Sequence, residues 1–411
     1  MRSVEQALDL VRKAAGDPRR PTETVALAEA LGRVLAEDVA MDHDVPPFRR
    51  ATMDGFALRR ADLAAGVRLP VVGRSTAGDP APPALGAGEA IRIMTGAPLP
   101  PEADFVVPFE WTQADDHEVH IREVGRGPNL VEQGAHVAAG EVVLSGGTRV
   151  GPGALGALAT AGRAEVRVIR PPSVAVLGTG TELVPVGTPP GPGQIRNSNS
   201  AALLGQAEAA GARGIDLGIA KDDPGGLDAA IRRGLDADVL LLSGGVSKGD
   251  LDLVPRALEE AGVTCVFHRW AVQPGGPLWF GTRGDTLVFG LPGNPAATFV
   301  GFELLVRPAL DTRFGRPLEA RATLRARYPE TGGRAFPRRR FRPVTLHTTD
   351  DATLEARLLP WRGSGDPFGF AVATGLAVLP EGRPIPEVVE VVPLGGAPLG
   401  SGPPGSGGGR S

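Results

Sequence analysis

Cysteine is nearly missing from this sequence: among 411 residues there is one, Cys265. A single thiol excludes an intramolecular disulfide framework and a zinc site built from cysteines. Cys265 lies in the apolar run Thr264-Cys265-Val266-Phe267, which predicts a small buried hydrophobe. Long apolar runs are missing as well. No stretch reaches the roughly 18 apolar residues of a membrane span, and Glu5, Asp9 and Lys13 interrupt the apolar periodicity where the core of an export signal would lie. The expectation is a cytoplasmic protein with no membrane partner. Excess positive charge is also absent. Lys and Arg number 43 against 47 Asp and Glu, a formal net charge of -4, so no global basic field exists to hold nucleic acid. No histidine cluster has metal-ligand spacing, and no Ser-His-acid set can be assembled.

What is present is a globular composition, 42% hydrophobic and 22% charged, long enough for about two to four domains. Glycine (58) and proline (40) are abundant and scattered, marking many short loops. They concentrate only at the end, where residues 395–411 cannot bury enough apolar surface to offset ordering entropy and are expected to form a disordered tail.

The pattern changes along the chain. Ser3-x-x-Gln6 resembles a capping box, and Val4, Leu8 and Val11 recur at helical spacing behind it. A second short helix fits Ala26 to Leu31, stopped by Gly32. Residues 42–136 show short apolar runs broken by Pro and Gly, such as Leu69-Pro70-Val71-Val72 and Phe105-Val106-Val107, and read as an inserted β domain. Residues 137–171, with a helix near Ala154 to Ala161, return to mixed character and are grouped with residues 1–41 as one partly helical, discontinuous domain. From 172 to 313 the rhythm is strand, glycine-rich turn, helix. Val174 to Leu177 precedes Gly178-Thr179-Gly180; Val239 to Leu242 precedes Ser243-Gly244-Gly245-Val246-Ser247; Leu287-Val288-Phe289 precedes Gly290-Leu291-Pro292-Gly293-Asn294-Pro295. Apolar strands alternating with helices imply a parallel-sheet α/β domain, whose ligands bind beyond the carboxyl ends of the strands. Residues 314–394 return to short strands and form a small C-terminal β domain.

The glycine turns point to an anionic ligand. Gly244 and Gly245 let the backbone approach an anion and aim N–H groups at it, with Ser243 and Ser247 as added donors; a plain structural turn is the competing reading. Asp250 and Asp252 follow at once. Carboxylates beside phosphate make sense when a hard cation such as Mg²⁺ bridges them, while the alternative is a pair of acids favoured by a helix N-terminus. Glu182 and Asp222 follow other strand ends and complete an acidic rim. The helix after Pro292, Gly293 and Pro295 opens on a rigid turn and offers a further anion site. The basic run Arg334, Arg338, Arg339, Arg340, Arg342 reads as a solvated strand face.

Taken in order, Thr52-Met53-Asp54-Gly55-Phe56-Ala57, Arg92-Ile93-Met94-Thr95-Gly96-Ala97-Pro98, Thr179-Gly180-Thr181-Glu182-Leu183, Ser243-Gly244-Gly245-Val246-Ser247 and the turn at 290–295 resemble the MoeA-type molybdopterin molybdenumtransferases, an architecture also found in the enzyme domain of gephyrin. The resemblance covers nearly the whole chain. It implies a multi-domain fold with a partly helical N-terminal domain, an inserted β domain, an α/β molybdopterin-binding domain and a C-terminal β barrel. It implies insertion of molybdate into adenylylated molybdopterin with release of AMP, with Mg²⁺ present. It implies a homodimer whose active sites are shared between chains, and transient contact with a molybdopterin adenylyltransferase and with molybdoenzyme-maturation proteins. Carried over residue by residue, Asp54, Thr95, Glu182, Asp222 and Asp252 take catalytic positions. Glu182, Asp222, Asp250 and Asp252 take the metal positions. Ser243, Gly244, Gly245, Ser247, Pro292, Gly293, Pro295 and Ser364 hold the pterin pyrophosphate. Where members carry Lys-Pro-Gly-Lys-Pro, this chain has Gln273-Pro274-Gly275-Gly276-Pro277, so two cations are lost and Arg269 is the candidate replacement. His136 and Thr181 stand where aspartates are usual. The missing lysines leave open a binding or delivery protein without turnover; a tungsten-selective paralogue is a further alternative.

Overall fold

Ser3 and Gln6 close a reciprocal cap at the start of the chain. The Ser3 hydroxyl accepts from the Gln6 N–H at 3.2 Å, and the Gln6 side chain accepts from the Ser3 N–H at 3.1 Å, which satisfies two of the donors a helix start leaves open. The helix Val4–Ala15 follows and buries Ala7, Val11 and Ala15 at four-residue spacing. A computed structural model places this helix and the elements below; it describes residues 1–16, 21–221, 224–246, 253–315, 323–333 and 335–395. The tail beyond residue 395 therefore lies outside the described residues. The chain divides into two units, residues 24–168 and residues 1–23 with 169–411.

In the larger unit, six strands form one sheet in the order Arg213–Ala220, Ser173–Thr179, Val239–Ser243, Thr286–Leu291, Trp279–Arg283, Thr264–His268. The first four run parallel, and the strands Ser173–Thr179 and Val239–Ser243 are buried at every position. The strand Trp279–Arg283 runs antiparallel to both its neighbours, Thr286–Leu291 and Thr264–His268, so the sheet is mixed rather than wholly parallel. Cys265 is on the outermost of them and is exposed, contrary to the buried position its apolar neighbours predict. A register shift between Cys265 and Phe267 turns it outward while Phe267 stays in the core. One face of the sheet shares a core with the first helix and with Phe302, Leu305, Val306, Ala309 and Leu310. The sequence pattern groups that helix with residues 137–171; its apolar stripe is matched instead by these side chains near the end of the α/β domain. The opposite face packs Leu227, Ile231, Val254 and Leu258.

The same unit ends in a barrel. Strand Arg339–Thr348 pairs with Leu354–Leu358 and with Gly375–Leu379, Leu354–Leu358 with Leu324–Arg327, and Leu324–Arg327 with Val388–Pro393, which returns to Gly375–Leu379. Five strands thus close on themselves, and closure leaves no long unpaired edge. A two-residue strand, Val272–Gln273, pairs in parallel with Arg339 and Arg340 and ties the α/β domain to the barrel.

The smaller unit contains a six-stranded sheet in the order Phe105–Pro108, Gly55–Leu58, Ala90–Ile93, Arg68–Ser75, Glu118–Ile121, Thr112–Ala114. A separate core gathers Leu35, Val39, Met41, Val150, Leu158 and Val168 around the helix Pro152–Thr160. The helix expected at Ala26 to Leu31 is not formed. Strand Thr22–Ala26 continues into a single 3₁₀ turn, Leu27–Glu29, because β-branched Thr22, Thr24 and Val25 favour extension and six residues cannot support a helical nucleus.

Candidate functional site

Three parallel strands deliver their carboxyl ends to one place. Gly244 follows Val239–Ser243 and donates its N–H to the Leu291 carbonyl at 3.0 Å. Its φ is 107°, and a β-carbon there would lie 2.4 Å from the Thr179 carbonyl oxygen, so only glycine lets the two strand ends meet. Asn199, near the start of the helix Ser198–Ala209, donates to Ser243 Oγ at 2.9 Å and to the Gly293 carbonyl at 2.7 Å, pinning the second and third turns together. The Thr298 hydroxyl donates to the Pro292 carbonyl. Pro295 occupies the first turn of the helix Pro295–Gly301, where a missing N–H costs nothing.

A loop from the barrel domain sits against this edge. Asn294 Nδ2 donates to Ser364 Oγ at 3.2 Å, and the Ala296 N–H donates to the Ser364 carbonyl at 3.1 Å. Asp366 shapes the loop by accepting from the Arg362 and Phe368 N–H groups, each at 2.9 Å. Those backbone donors, Arg362 first, hold its carboxyl below the usual carboxylate range.

These parts enclose a cavity of about 1010 Å³. Glu182, Gly244, Gly245, Pro292, Gly293, Asn294 and Ser364 line one side. The segment Gln273 to Pro277 and the side chains of Arg338, Arg340 and Arg342 line another. The basic run is therefore not a uniformly solvated face, as its composition predicts. A strand turns alternate side chains to one side, so Arg338, Arg340 and Arg342 face the cavity while Arg339 reaches Glu5 at 2.5 Å. Arg342 is matched by Glu330 at 2.7 Å. Gly276 is buried, and a β-carbon on it would lie 3.3 Å from Arg338 Nη1.

Arg269 does not line this cavity. Its backbone is held between Leu278, whose carbonyl accepts its N–H at 2.8 Å, and Arg2, which donates to its carbonyl. Ser243 and Pro295 position the lining without being part of it. Asp222, Ser247, Asp250, Asp252 and Arg334 lie outside the described residues. Among the described residues no group of three or more His, Cys, Asp or Glu side chains gathers as a metal site. In the smaller unit, the Thr95 N–H and hydroxyl both donate to Asp54 Oδ1, at 2.7 and 2.8 Å. The backbone donor and then the hydroxyl hold this exposed carboxyl below its ordinary range. The cavity residues that sequence reasoning did not select include Asn294, Arg338, Arg340 and Arg342, and Asn199 ties their turns together; the alternation of arginines at 338, 340 and 342 was the available signal.

The chain is similar to known proteins in sequence and in fold. Residues 2–162 match the family described as the MoeA N-terminal region (domain I and II), and residues 175–312 match a probable molybdopterin binding domain. A molybdopterin molybdenumtransferase of Bacillus subtilis is 42% identical over 302 residues, 71% of this chain and 70% of that protein. One from Staphylococcus aureus is 36% identical over 373 residues, 88% of each chain. The crystal structure of the molybdopterin biosynthesis MoeA protein from Pyrococcus horikoshii matches with a TM-score of 0.81 at 34% identity, covering 95% of this chain and 98% of that one.

Proposed function

The chain belongs to the MoeA family of molybdopterin molybdenumtransferases, and we propose that it inserts molybdate into adenylylated molybdopterin, yielding molybdenum cofactor and AMP. The observation that carries this reading is the cavity at the strand ends, where two glycine turns, a serine and a wall of arginines surround a space large enough for a pterin pyrophosphate. The backbone N–H of Gly245, together with Ser364 Oγ, supplies neutral donors to phosphate oxygens. Arg338 and Arg340 supply positive charge. Fixing the phosphoanhydride between these walls exposes its pterin-side phosphorus to water; a P–O bond forms to the water oxygen as the bond to the bridging oxygen breaks, so AMP leaves with that oxygen and a phosphate stays on the pterin. The two dithiolene thiols of the pterin displace one oxygen of molybdate, which leaves as water with the two thiol protons, so molybdenum changes ligands without changing oxidation state. The loss of lysines at Gln273 and Gly276, which favours a binding protein without turnover, is offset by the two arginines opposite them.

Magnesium belongs to the same reading. Carboxylate oxygens are the hard donors that this ion takes, and Glu182 provides one on the cavity wall; Asp222, Asp250 and Asp252 complete the proposed set. When bound, the ion would neutralise charge on the pyrophosphate oxygens. The reading also carries over a cytoplasmic location and a homodimer in which Asp54 and Thr95 of one chain complete the site of another. Transient contact with a molybdopterin adenylyltransferase and with molybdoenzyme-maturation proteins follows from the same resemblance.

Purified chain supplied with MgCl₂, molybdate and adenylylated molybdopterin is expected to release AMP, measured by chromatography. Folded protein that releases none would sink the reading. Asp54→Ala and Asp252→Ala are each expected to abolish release, and a mixture of the two variants to regain part of it. A mixture that stays inactive counts against the shared site.

A further inference from the structure

Gln273 and Gly276 are neutral where the resemblance places lysines, yet the wall they form is not short of positive charge. Gln273 and Arg340 are direct register partners across the short parallel pairing that joins the α/β domain to the barrel. Gln273 Oε1 accepts from Arg340 Nε at 2.8 Å, and the guanidinium centre lies 4.0 Å from the centroid of the Phe336 ring. One nitrogen of the fork is thus committed to orientation and one flat face is covered by an aromatic ring. Among the described residues no hydrogen bond occupies its two terminal nitrogens, and Arg340 lines the cavity. Of the neighbouring cations, Arg339 is paired with Glu5 and Arg342 with Glu330, while Arg338 lines the same cavity. Among the described residues no carboxylate lies within ion-pair distance of Arg340.

A lysine at 273 would set a second cation directly beside Arg340 in this register, and like charges directly opposed across strands repel. A glutamine instead accepts a hydrogen bond from the arginine and steers it. Residues 273 and 340 therefore act as a unit that holds one cation. We propose that in this chain the cation has moved to Arg340, which grips a tetrahedral oxyanion of the substrates, either the pterin's phosphate or molybdate, with Gln273 as its positioning residue. The identity of the anion rests on the function proposed above; the placement of the charge does not. A guanidinium fork binds such an oxyanion through two parallel N–H bonds, where a lysine would offer a point charge.

The test is calorimetric titration of the full chain with inorganic pyrophosphate and, separately, with molybdate. Arg340→Ala is expected to weaken one or both by about tenfold or more. Adding Gln273→Lys to that variant is expected to restore the affinity. Gln273→Glu alone, which leaves the barrel strand untouched, should weaken binding comparably by pairing with Arg340. A loss confined to pyrophosphate assigns the phosphate, and one confined to molybdate assigns the molybdenum oxyanion. Unchanged affinity for both anions in Arg340→Ala and Gln273→Glu, or a wild-type chain that binds neither, overturns the proposal. A chain that binds through Arg340 but releases no AMP refutes the proposed reaction alone. AMP release with an unchanged KM in Arg340→Ala refutes this assignment alone.

Discussion

At Asp54 two donors from one residue converge on a single carboxylate oxygen. Both bonds are made to the ionised form, so the folded-state pKa falls below that of the unfolded chain. The stabilisation is in force above the unfolded pKa and is lost as the pH falls through the folded one. In a carboxyl-detected NMR titration, Asp54 is expected to titrate below the range of ordinary aspartates. Thr95→Val, which keeps the N–H and removes the hydroxyl, should move the midpoint partway back up; a midpoint that does not move would show that the hydroxyl adds nothing. Glu182, Gly244 and Ser364, which line the cavity, could be picked from the sequence because each sits in a short motif with a characteristic order. Arg340 could not. Its meaning depends on Gln273, 67 residues away, and on which face of its strand turns toward the cavity. A two-residue period shows that a strand has two faces without saying where either one looks.

Among the elements, the helix Pro295–Gly301 leads through a π turn, Phe302–Val306, into the helix Arg307–Arg313. Glu303 on that turn is 2% exposed and accepts from Arg307 Nε at 2.9 Å and from Gln206 Nε2 at 2.9 Å. This buried charge pair joins the segment to the helix Ser198–Ala209. Removing one partner leaves a carboxylate that water cannot reach, so Arg307→Met is expected to cost about 3–5 kcal/mol in urea unfolding. The double variant Glu303→Leu with Arg307→Met should cost less than the single one. A double variant as unstable as the single would mean that the pair is not the source of the loss. Elements with an unbroken apolar run, such as Val239–Ser243, were legible because burial on both faces leaves no polar alternation. The reversed strand Trp279–Arg283 was not distinguishable from its parallel neighbours, since strand direction is set by the connection and leaves no mark on composition. Nor was the π turn, which differs from an α-helix only in the spacing of its hydrogen bonds.

For the whole molecule, the order of motifs disclosed the succession of folded parts, while the apolar stripe of the first helix did not disclose its partner. Residues 24–168 are continuous in sequence and hold their own buried clusters. Expressed alone, this fragment is expected to show a cooperative thermal transition by circular dichroism; a featureless melt would mean that its cores need the rest of the chain. Such an arrangement also has a history in time. On the ribosome the helix Val4–Ala15 emerges long before the side chains that cover its apolar face, from Phe302 to Leu310, which come last in the α/β domain. At about 5–20 residues per second, roughly 290 residues take about 15–60 s to add. A twelve-residue helix is marginal by itself in water. The unit of residues 24–168 can therefore complete its folding while that helix waits, with Ala7 and Val11 uncovered and open to a chaperone. The chain closes its largest core only after the segment at 302–310 has been made.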